Sequence, residues 1–202
     1  RKGATKPFDV TLTREIIKIE SVYAKMIENE NILYLRVTNF DKSVVDVASK
    51  ELKKYPNVKG VILDLRNNPG GLLNQAIGLV NLFVDKGVIV SQKGRIASEN
   101  QEYKADPKNK ISNTSLVVLV NGGSASASEI VSGALQDLKR GVIVGENTFG
   151  KGSIQQIIPI NKTEALRLTI ARYYLPSGRT IQAVGVKPDI EEYFSKPIWS
   201  IK

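Results

Sequence analysis

The sequence of 202 residues contains neither cysteine nor histidine. Without cysteine it has no disulfide, no zinc-thiolate site and no thiol nucleophile. Without histidine it lacks the commonest metal ligand and the usual proton acceptor of serine and cysteine hydrolases. Any acid or base chemistry must therefore fall to lysine, aspartate, glutamate or tyrosine.

The sequence also lacks a long apolar run. No stretch approaches the roughly 20 apolar residues that cross a bilayer. The first residues, RKGA, are neither an initiator methionine nor a signal peptide. The hydrophobic share of 42% and the charged share of 24% are those of a globular protein with its own core. We expect a fragment or mature portion of a longer protein, folded as one large domain with at most a small appendage.

The charge balance is basic, with a formal net charge of +9. The lysines and arginines are nevertheless spread along the chain, often beside acidic residues, and no basic run of five or more occurs. We therefore expect a solvated basic surface and no nucleic-acid partner.

Apolar patterning alternates between strand and helix periods. Two strands, at residues 19–26 and 32–37, are predicted to form a hairpin around the polar turn at residues 28–31. Asp41 is a good N-cap for a helix that Pro56 ends. Further strands are predicted at residues 58–65, 88–91, 116–120 and 142–145, and further helices at residues 72–84 and 126–138.

The remaining segments are less regular. Residues 92–113 are polar and predict a strand-poor excursion or an exposed ribbon. The rest of the chain to about residue 190 predicts a long antiparallel hairpin, with Pro176, Ser177 and Gly178 as its turn. The order of strands and helices, with fully apolar strands, predicts an α/β fold: a mostly parallel sheet flanked by helices, with an antiparallel C-terminal β-hairpin.

Three serines alternate in NGGSASASEI, residues 121–130, where a predicted strand gives way to a helix. Ser126 and Glu129 fit a capping box, which explains this serine without any chemistry. The same position suits a nucleophile, because a helix N-terminus offers free backbone N–H groups and a positive dipole to an oxyanion. Both interpretations stay open on this segment alone.

A lysine stands between two glycines in GENTFGKGS, residues 145–153. Lys151 suits a base that reaches across a cleft; the alternatives are an ion pair with Glu146 or a solvent-exposed side chain. An amine takes up a proton only when it is neutral. A lysine base must therefore be desolvated enough to lower its pKa well below about 10.4.

Residues 145–151 also match the phosphate-binding pattern G-x-x-x-x-G-K, and residues 61–64 resemble a strand that ends in a magnesium-binding aspartate. Gly152 stands where this motif needs serine or threonine, the following residues predict a strand instead of a helix, and the aspartate strand precedes the loop. Nucleotide hydrolysis is the weaker interpretation, and we expect no cofactor and no metal.

The segment DLRNNPGG, residues 64–71, follows another predicted strand. Its glycines shape a turn, or they form a backbone nest whose N–H groups point at one anion. In the second case, Gly70 or Gly71 supplies the second donor of an oxyanion hole whose first donor is the Ala127 N–H.

In this order, the three motifs resemble those of the carboxyl-terminal processing (tail-specific) proteases, a serine peptidase family with a Ser/Lys pair. The similarity continues in RYYLPSGRTIQ, residues 172–182, and GVKPD, residues 185–189, and so covers about residues 7–190. It implies a core of the Clp protease/crotonase-like fold. It also implies an endopeptidase that cleaves proteins near their carboxyl termini through an acyl-enzyme.

The resemblance implies a role for each matched residue. The roles are nucleophile for Ser126, general base for Lys151, orienting group for Gln155, and oxyanion donor for the amides of Ala127 and of either Gly70 or Gly71. Residues four apart are roughly 13 Å apart on a strand but about 6 Å apart after one helical turn. We therefore predict a turn or short helical piece at residues 150–155, since on a strand Gln155 would not reach Lys151. Gln156 is the weaker candidate, because on a strand it would point to the opposite face.

Members of this family usually carry a PDZ domain just before the core. PFDVTLTR, residues 7–14, resembles its last strand, and Ala183 stands where the family commonly has glycine, a change expected to be minor. The predicted parts are residues 1–16 as a remnant of the last PDZ strand and linker, residues 17–192 as the Ser/Lys protease core, and residues 193–202 as a C-terminal tail.

The resemblance implies unfolded or flexible protein C-terminal segments as substrate, the missing PDZ domain in cis as partner, and an extracytoplasmic location such as the periplasm. It is compatible with a homo-oligomer and with a membrane tether outside this sequence. The alternative is a catalytically silent binding or scaffold core of the same fold, in which Ser126 and Lys151 are misaligned.

Overall fold

The computed structural model describes residues 9–14 and 20–193. Three α-helices and ten strands account for about half of this part of the chain. The helices are α1 (Val44–Lys54), α2 (Leu73–Asn81) and α3 (Ala127–Asp137). The strands are β1 (Val22–Ile27), β2 (Ile32–Val37), β3 (Gly60–Asp64), β4 (Val88–Gly94), β5 (Gln101–Lys104), β6 (Ser115–Val120), β7 (Val142–Gly145), β8 (Ser153–Pro159), β9 (Ala165–Tyr174) and β10 (Ile190–Glu191).

The first sheet has six strands in the order β1-β2-β3-β6-β7-β10. Its one antiparallel pair is β1 with β2, and the other neighbours are parallel. The central strands β3 and β6 are almost wholly apolar, as expected for strands covered on both faces. The predicted mostly parallel sheet and the hairpin between its first two strands are both confirmed, with a single 3₁₀ turn (Glu28–Glu30) in the connection.

The second sheet has four antiparallel strands in the order β5-β4-β9-β8. The sequence predicted β4 but did not assign it to a sheet of its own. Of the two interpretations of residues 92–113, the ribbon is nearer the structure, because β4 continues to Gly94 and pairs with β5.

The C-terminal hairpin is present, but its predicted turn is wrong. Strands β8 and β9 are joined at residues 160–164, where the Asn161 side chain accepts hydrogen bonds from the N–H groups of Thr163 and Glu164, each at 2.9 Å. This short polar loop closes the hairpin as an Asx turn does. Pro176 lies in a separate turn after β9, in which the Gly178 N–H donates to the Leu175 carbonyl at 2.8 Å.

The helices pack side by side, α1 on α2 and α2 on α3, and β4 of the second sheet contacts both α2 and α3. Helix α1 buries Val44, Ala48 and Leu52, one residue in four along one face. Asp41 is not its N-cap, which is Ser43. Instead, the Asp41 carboxylate accepts hydrogen bonds from the Ser43 N–H and hydroxyl at 2.7 and 2.6 Å, because the chain makes one more turn before the helix begins.

The predicted division of the chain into a PDZ remnant, a protease core and a C-terminal tail is hardly tested, because few residues at its two ends are described. Residues 9–14 form neither helix nor strand, while residues 1–8, 15–19 and 194–202 lie outside the described residues. The predicted remnant of a PDZ strand and the predicted tail fall mostly there. None of the helices that the structure describes has the length and apolar content to cross a membrane.

A buried ionic network sits at the end of β3, just before the DLRNNPGG segment. Asp64 is fully buried and accepts hydrogen bonds from the Arg66 guanidinium at 2.9 and 2.6 Å and from the Tyr34 hydroxyl. Burial by itself raises the pKa of Asp64, but the hydrogen bonds from Arg66 and Tyr34 outweigh it and hold this pKa below its ordinary value. The network therefore keeps a charged carboxylate inside the core and fixes where the segment starts.

Tyr34→Phe tests this network. The variant leaves the buried carboxylate short of a donor, and we expect it to lower the free energy of unfolding by about 1–3 kcal/mol at pH 7. Burial and the neighbouring Asp64 raise the pKa of Tyr34 from 10.0 to about 12. The folded protein therefore holds the Tyr34 proton more tightly than the unfolded chain does. The contribution of this hydroxyl to the free energy of unfolding is complete below pH 10 and is lost as the pH rises towards 12.

Urea unfolding at several pH values measures the effect. The difference in the free energy of unfolding between wild type and Tyr34→Phe should become smaller above pH 10. Tyr193→Phe, at a tyrosine that is 79% exposed, is the matched control and should change nothing. A gap that stays constant or widens up to pH 12 would contradict the network.

Candidate active site

Ser126 lies between β6 and α3 in an uncommon backbone conformation, with φ 56 and ψ −110. Non-glycine residues at positive φ are strained, persist where the surroundings fix them, and cluster at functional sites. Here the Ser126 carbonyl accepts hydrogen bonds from the N–H groups of Glu129 and Ile130 at 2.9 and 3.0 Å. The side chain is half-buried, so the hydroxyl sits at the start of a helix with access to solvent.

The first amide of α3 is open. No described residue accepts a hydrogen bond from the Ala127 N–H, as expected for the first turn of a helix. Ser126 and Glu129 stand in the geometry of a capping box, but the Glu129 N–H is engaged by the Ser126 carbonyl. The serine hydroxyl and the Ala127 amide therefore lie together at the positive end of the helix.

The Glu129 carboxylate connects Ser126 to the lysine loop, the segment at residues 146–152 between β7 and β8. This side chain is fully buried and forms no ion pair with any residue that the structure describes. Its Oε2 accepts hydrogen bonds from the backbone N–H groups of Ser126 and Lys151, each at 2.8 Å. Its Oε1 accepts from the Thr148 hydroxyl and the Gly150 N–H, each at 2.6 Å. One oxygen atom thus binds the main chain of both the predicted nucleophile and the predicted base.

The Lys151 side chain is exposed, and within residues 20–193 its amine has no hydrogen bond or ion pair. Of the two alternatives to a base, the ion pair with Glu146 is not formed, and the solvent-exposed side chain is what the structure shows. The described residues do not supply the desolvation that a neutral amine requires. The backbone, in contrast, is held on two sides, since the Ala183 N–H also donates to the Gly150 carbonyl at 2.8 Å. Ala183 adopts φ 65, a conformation that favours glycine.

The turn or short helical piece predicted at residues 150–155 is wrong. Strand β8 begins at Ser153, so Gln155 lies on extended backbone and makes no hydrogen bond to Lys151 in the structure. Pairing with β9 decides this conformation. A bulge opposite residues 154 and 155 interrupts the register where Gln155 stands. Gln155 and Gln156 are both exposed and, as neighbours on a strand, face opposite sides.

The two glycines of DLRNNPGG differ in what their amides do. Gly70 has φ 105, and a Cβ there would lie 2.9 Å from the Ser126 Cβ and 3.0 Å from the Ala127 nitrogen. Its N–H donates to the Asn68 side chain at 2.9 Å. Gly71 has φ 142, and none of the described residues accepts a hydrogen bond from its N–H. Gly70 therefore packs on the segment around Ser126, while Gly71 carries the open amide.

The two outer serines of the SASAS run have structural roles. Both are fully buried. The Ser124 hydroxyl donates to the Leu65 carbonyl at 2.8 Å, and the Ser128 hydroxyl donates to the Asn68 carbonyl at 2.9 Å. They fasten the DLRNNPGG segment to the start of α3 on either side of Ser126. Of the three serines, the middle one is the one that solvent reaches.

The phosphate-binding interpretation fits the structure poorly. The amides of Gly150 and Lys151, which a phosphate would need, donate to the Glu129 carboxylate. A strand follows the loop where that motif requires a helix N-terminus. Among the described residues, no three carboxylates cluster as a metal site.

A comparison with family models matches residues 31–192 to the model described as Peptidase family S41. The chain belongs to peptidase family S41. The expected fold class and the resemblance drawn from the motifs are thereby confirmed, since the S41 match contains all three motifs and both sheets except for the first strand and part of the connection that follows it.

Individual relatives of this S41 chain bear the name expected from the motifs. It is 46% identical over 196 residues to the carboxy-terminal-processing protease of Bartonella bacilliformis. The aligned residues cover 94% of this chain and 45% of that protein. It is 37% identical over 187 residues to carboxy-terminal processing protease CtpA of Bacillus subtilis, covering 91% of this chain and 39% of the relative. The chain therefore spans less than half the length of these two relatives.

A solved structure agrees with the S41 fold. The photosystem II D1 C-terminal processing protease superposes with a TM-score of 0.78 at 36% identity, covering 91% of this chain and 51% of that one.

The parts of the site that the sequence did not reveal are long-range contacts. The capping box revealed Glu129 as a partner of Ser126, but no local pattern indicated that the same carboxylate binds the lysine loop.

Glu129→Gln tests the carboxylate bridge. Whichever way the glutamine amide turns, its NH₂ group faces at least one backbone N–H that now points at the carboxylate. We expect the free energy of unfolding to fall by about 2–3 kcal/mol in urea titrations, because a buried donor loses its acceptor. Glu99→Gln makes the same change at an exposed position and should stay within about 0.5 kcal/mol of wild type. Equal stability of the two variants would show that the bridge contributes nothing.

Proposed function

We propose that this chain is the catalytic core of a serine endopeptidase that cleaves flexible protein chains near their carboxyl termini. The observation that carries the proposal is the Glu129 oxygen that accepts both the Ser126 and the Lys151 backbone amides at 2.8 Å. Two segments 25 residues apart, each singled out by its own motif, meet at this one atom. Such convergence is what a nucleophile and its base require.

The proposed first step is acylation. The neutral Lys151 amine takes the proton of the Ser126 hydroxyl as Oγ attacks the scissile carbonyl carbon, and the carbonyl π electrons move to its oxygen. The open amide of Ala127 and an open amide of the Gly70–Gly71 pair stabilise this oxyanion. The intermediate collapses when the C–N bond breaks and the lysine ammonium gives its proton to the leaving amine.

The proposed second step is deacylation. Water attacks the ester carbonyl while Lys151 takes one of its protons, and the same amides hold the second oxyanion. Collapse breaks the bond to Oγ, which recovers its proton from the ammonium. The new carboxylic acid leaves and loses its remaining proton to solvent. Gln155 is proposed to orient the amine in both steps. Because Gln155 lies on extended backbone in this structure, residues 150–152 have to rearrange before the two side chains can meet.

The exposed lysine side chain sets a condition on this mechanism. Substrate or another segment of the protein has to cover the Lys151 amine so that it loses its proton at neutral pH. An amine that stays in water in every state would instead favour the alternative, a catalytically silent binding core. Cleavage assays separate the two.

Ser126→Ala and Lys151→Ala test the mechanism. Each should lower the rate of cleavage of an unstructured protein such as casein by at least about 1000-fold, because each removes a group that every step uses. Ser98→Ala and Lys162→Ala, at exposed positions, should retain the wild-type rate. Circular dichroism should show all four variants folded. Full activity of Lys151→Ala would disprove the assignment of the base, and an inactive wild-type chain would favour the silent core.

Gln155→Ala and Gln156→Ala test the orienting group as a matched pair. Both glutamines are exposed and adjacent on β8, so their removal should leave stability alike. We expect kcat to fall about tenfold for Gln155→Ala and to be unchanged for Gln156→Ala. Steady-state kinetics on a peptide substrate measures both. Equal effects would remove the orienting role from Gln155, and a larger effect at Gln156 would give that role to Gln156.

A further inference from the structure

Asn68 is a fully buried residue in the segment between β3 and α2, and every polar atom of its side chain has a partner. Its Nδ2 donates to the Val37 carbonyl at the end of β2 at 2.8 Å. Its Oδ1 accepts from the Gly70 N–H at 2.9 Å, which closes an Asx turn over Pro69. A buried amide satisfied in this way permits only one arrangement of the groups around it.

The main chain of Asn68 fixes the start of α3. Its carbonyl accepts two hydrogen bonds, from the Ala125 N–H and from the Ser128 hydroxyl, each at 2.9 Å. Ala125 and Ser128 lie on either side of Ser126 in the sequence. A single residue therefore joins the end of β2, the start of α3 and the first of the two glycines.

The direction of the Gly71 amide depends on this arrangement. The Gly70 carbonyl accepts a hydrogen bond from the Phe40 N–H at 2.9 Å. In a trans peptide the C=O and N–H groups point in opposite directions, so the Gly71 N–H points away from Phe40. No residue in the described ranges accepts a hydrogen bond from it. Asn68 holds the peptide before Gly70, Phe40 holds the one after it, and the Gly71 donor is left open.

We propose that Asn68 is the positioning residue of the oxyanion-binding segment, an inference that rests on the proposed peptidase function. Asn68 makes no hydrogen bond to Ser126. It acts through Gly70, which packs so closely on Ser126 that a Cβ at Gly70 would lie 2.9 Å from the Ser126 Cβ. Oxyanion donors work only within a few tenths of an ångström of their ideal distance. Releasing the Gly70 peptide therefore weakens binding of the transition state much more than binding of the substrate.

Two variants separate positioning from structure. Asn68→Ala removes both side-chain hydrogen bonds, and we expect kcat to fall about 100-fold with KM unchanged. Asn68→Ser keeps a hydroxyl that accepts the Gly70 N–H in the same kind of turn, but it is too short to reach Val37. It should recover about tenfold in kcat over Asn68→Ala while its urea midpoint stays similarly low. The same order is expected for the rate at which a fluorophosphonate labels Ser126.

Asn81→Ala is the control for the loss of a buried asparagine. Asn81 is also buried, and its Nδ2 donates to the carbonyls of Val84 and Asp106 at 2.8 and 2.9 Å at the far end of α2. This variant should lose stability as Asn68→Ala does and keep the wild-type kcat.

The outcomes are distinct. If the wild-type chain neither cleaves peptide nor reacts with the fluorophosphonate, the proposed function and this inference both fall. If wild type is active and Asn68→Ala keeps its kcat, only the inference falls. It falls also if Asn68→Ser is no more active than Asn68→Ala, or if Asn81→Ala loses as much kcat, because the effect would then follow stability alone.

Discussion

The four hydrogen bonds to the Glu129 carboxylate are the interactions on which the rest of the site depends. The carboxylate is buried without a cation, and four hydrogen-bond donors compensate its charge, three of them backbone N–H groups. Burial of an anion is costly unless its hydrogen bonds are all made, so its four donors must stay in place together. Because two of those donors belong to Ser126 and Lys151, folding of the core also fixes the backbones of both predicted functional residues.

Asn68 plays the corresponding part on the other side of Ser126, the predicted nucleophile. The two residues together hold Ser126 at positive φ, one through the start of α3 and the other through the glycine segment. Strain of this kind persists only where surrounding contacts determine it. The backbone of the site is therefore assembled in this chain, while the lysine side chain that it presents remains exposed. Assembly of this backbone therefore does not require burial of the amine.

Much of the fold follows from local pattern. The apolar runs of β3 and β6 and the spacing of Val44, Ala48 and Leu52 predict a parallel sheet covered by helices. The capping box marks where α3 begins. Pairing between distant strands cannot be deduced from a local pattern, which is why the second sheet and the turn at residues 160–164 were not foreseen. The bridge from Glu129 to Lys151 spans 22 residues and was missed for the same reason. The pattern after Gly152 did predict a strand, and the turn expected at residues 150–155 conflicted with that prediction.

A crystal structure of the full chain with a fluorophosphonate or boronate bound to Ser126 tests the central claim most directly. The account predicts that the Lys151 amine is covered and lies within about 3 Å of Ser126 Oγ, with the hydrogen bonds of Glu129 to both backbone amides kept. It would be contradicted by a complex in which the inhibitor is bound, those hydrogen bonds are intact, and the lysine side chain still extends into solvent.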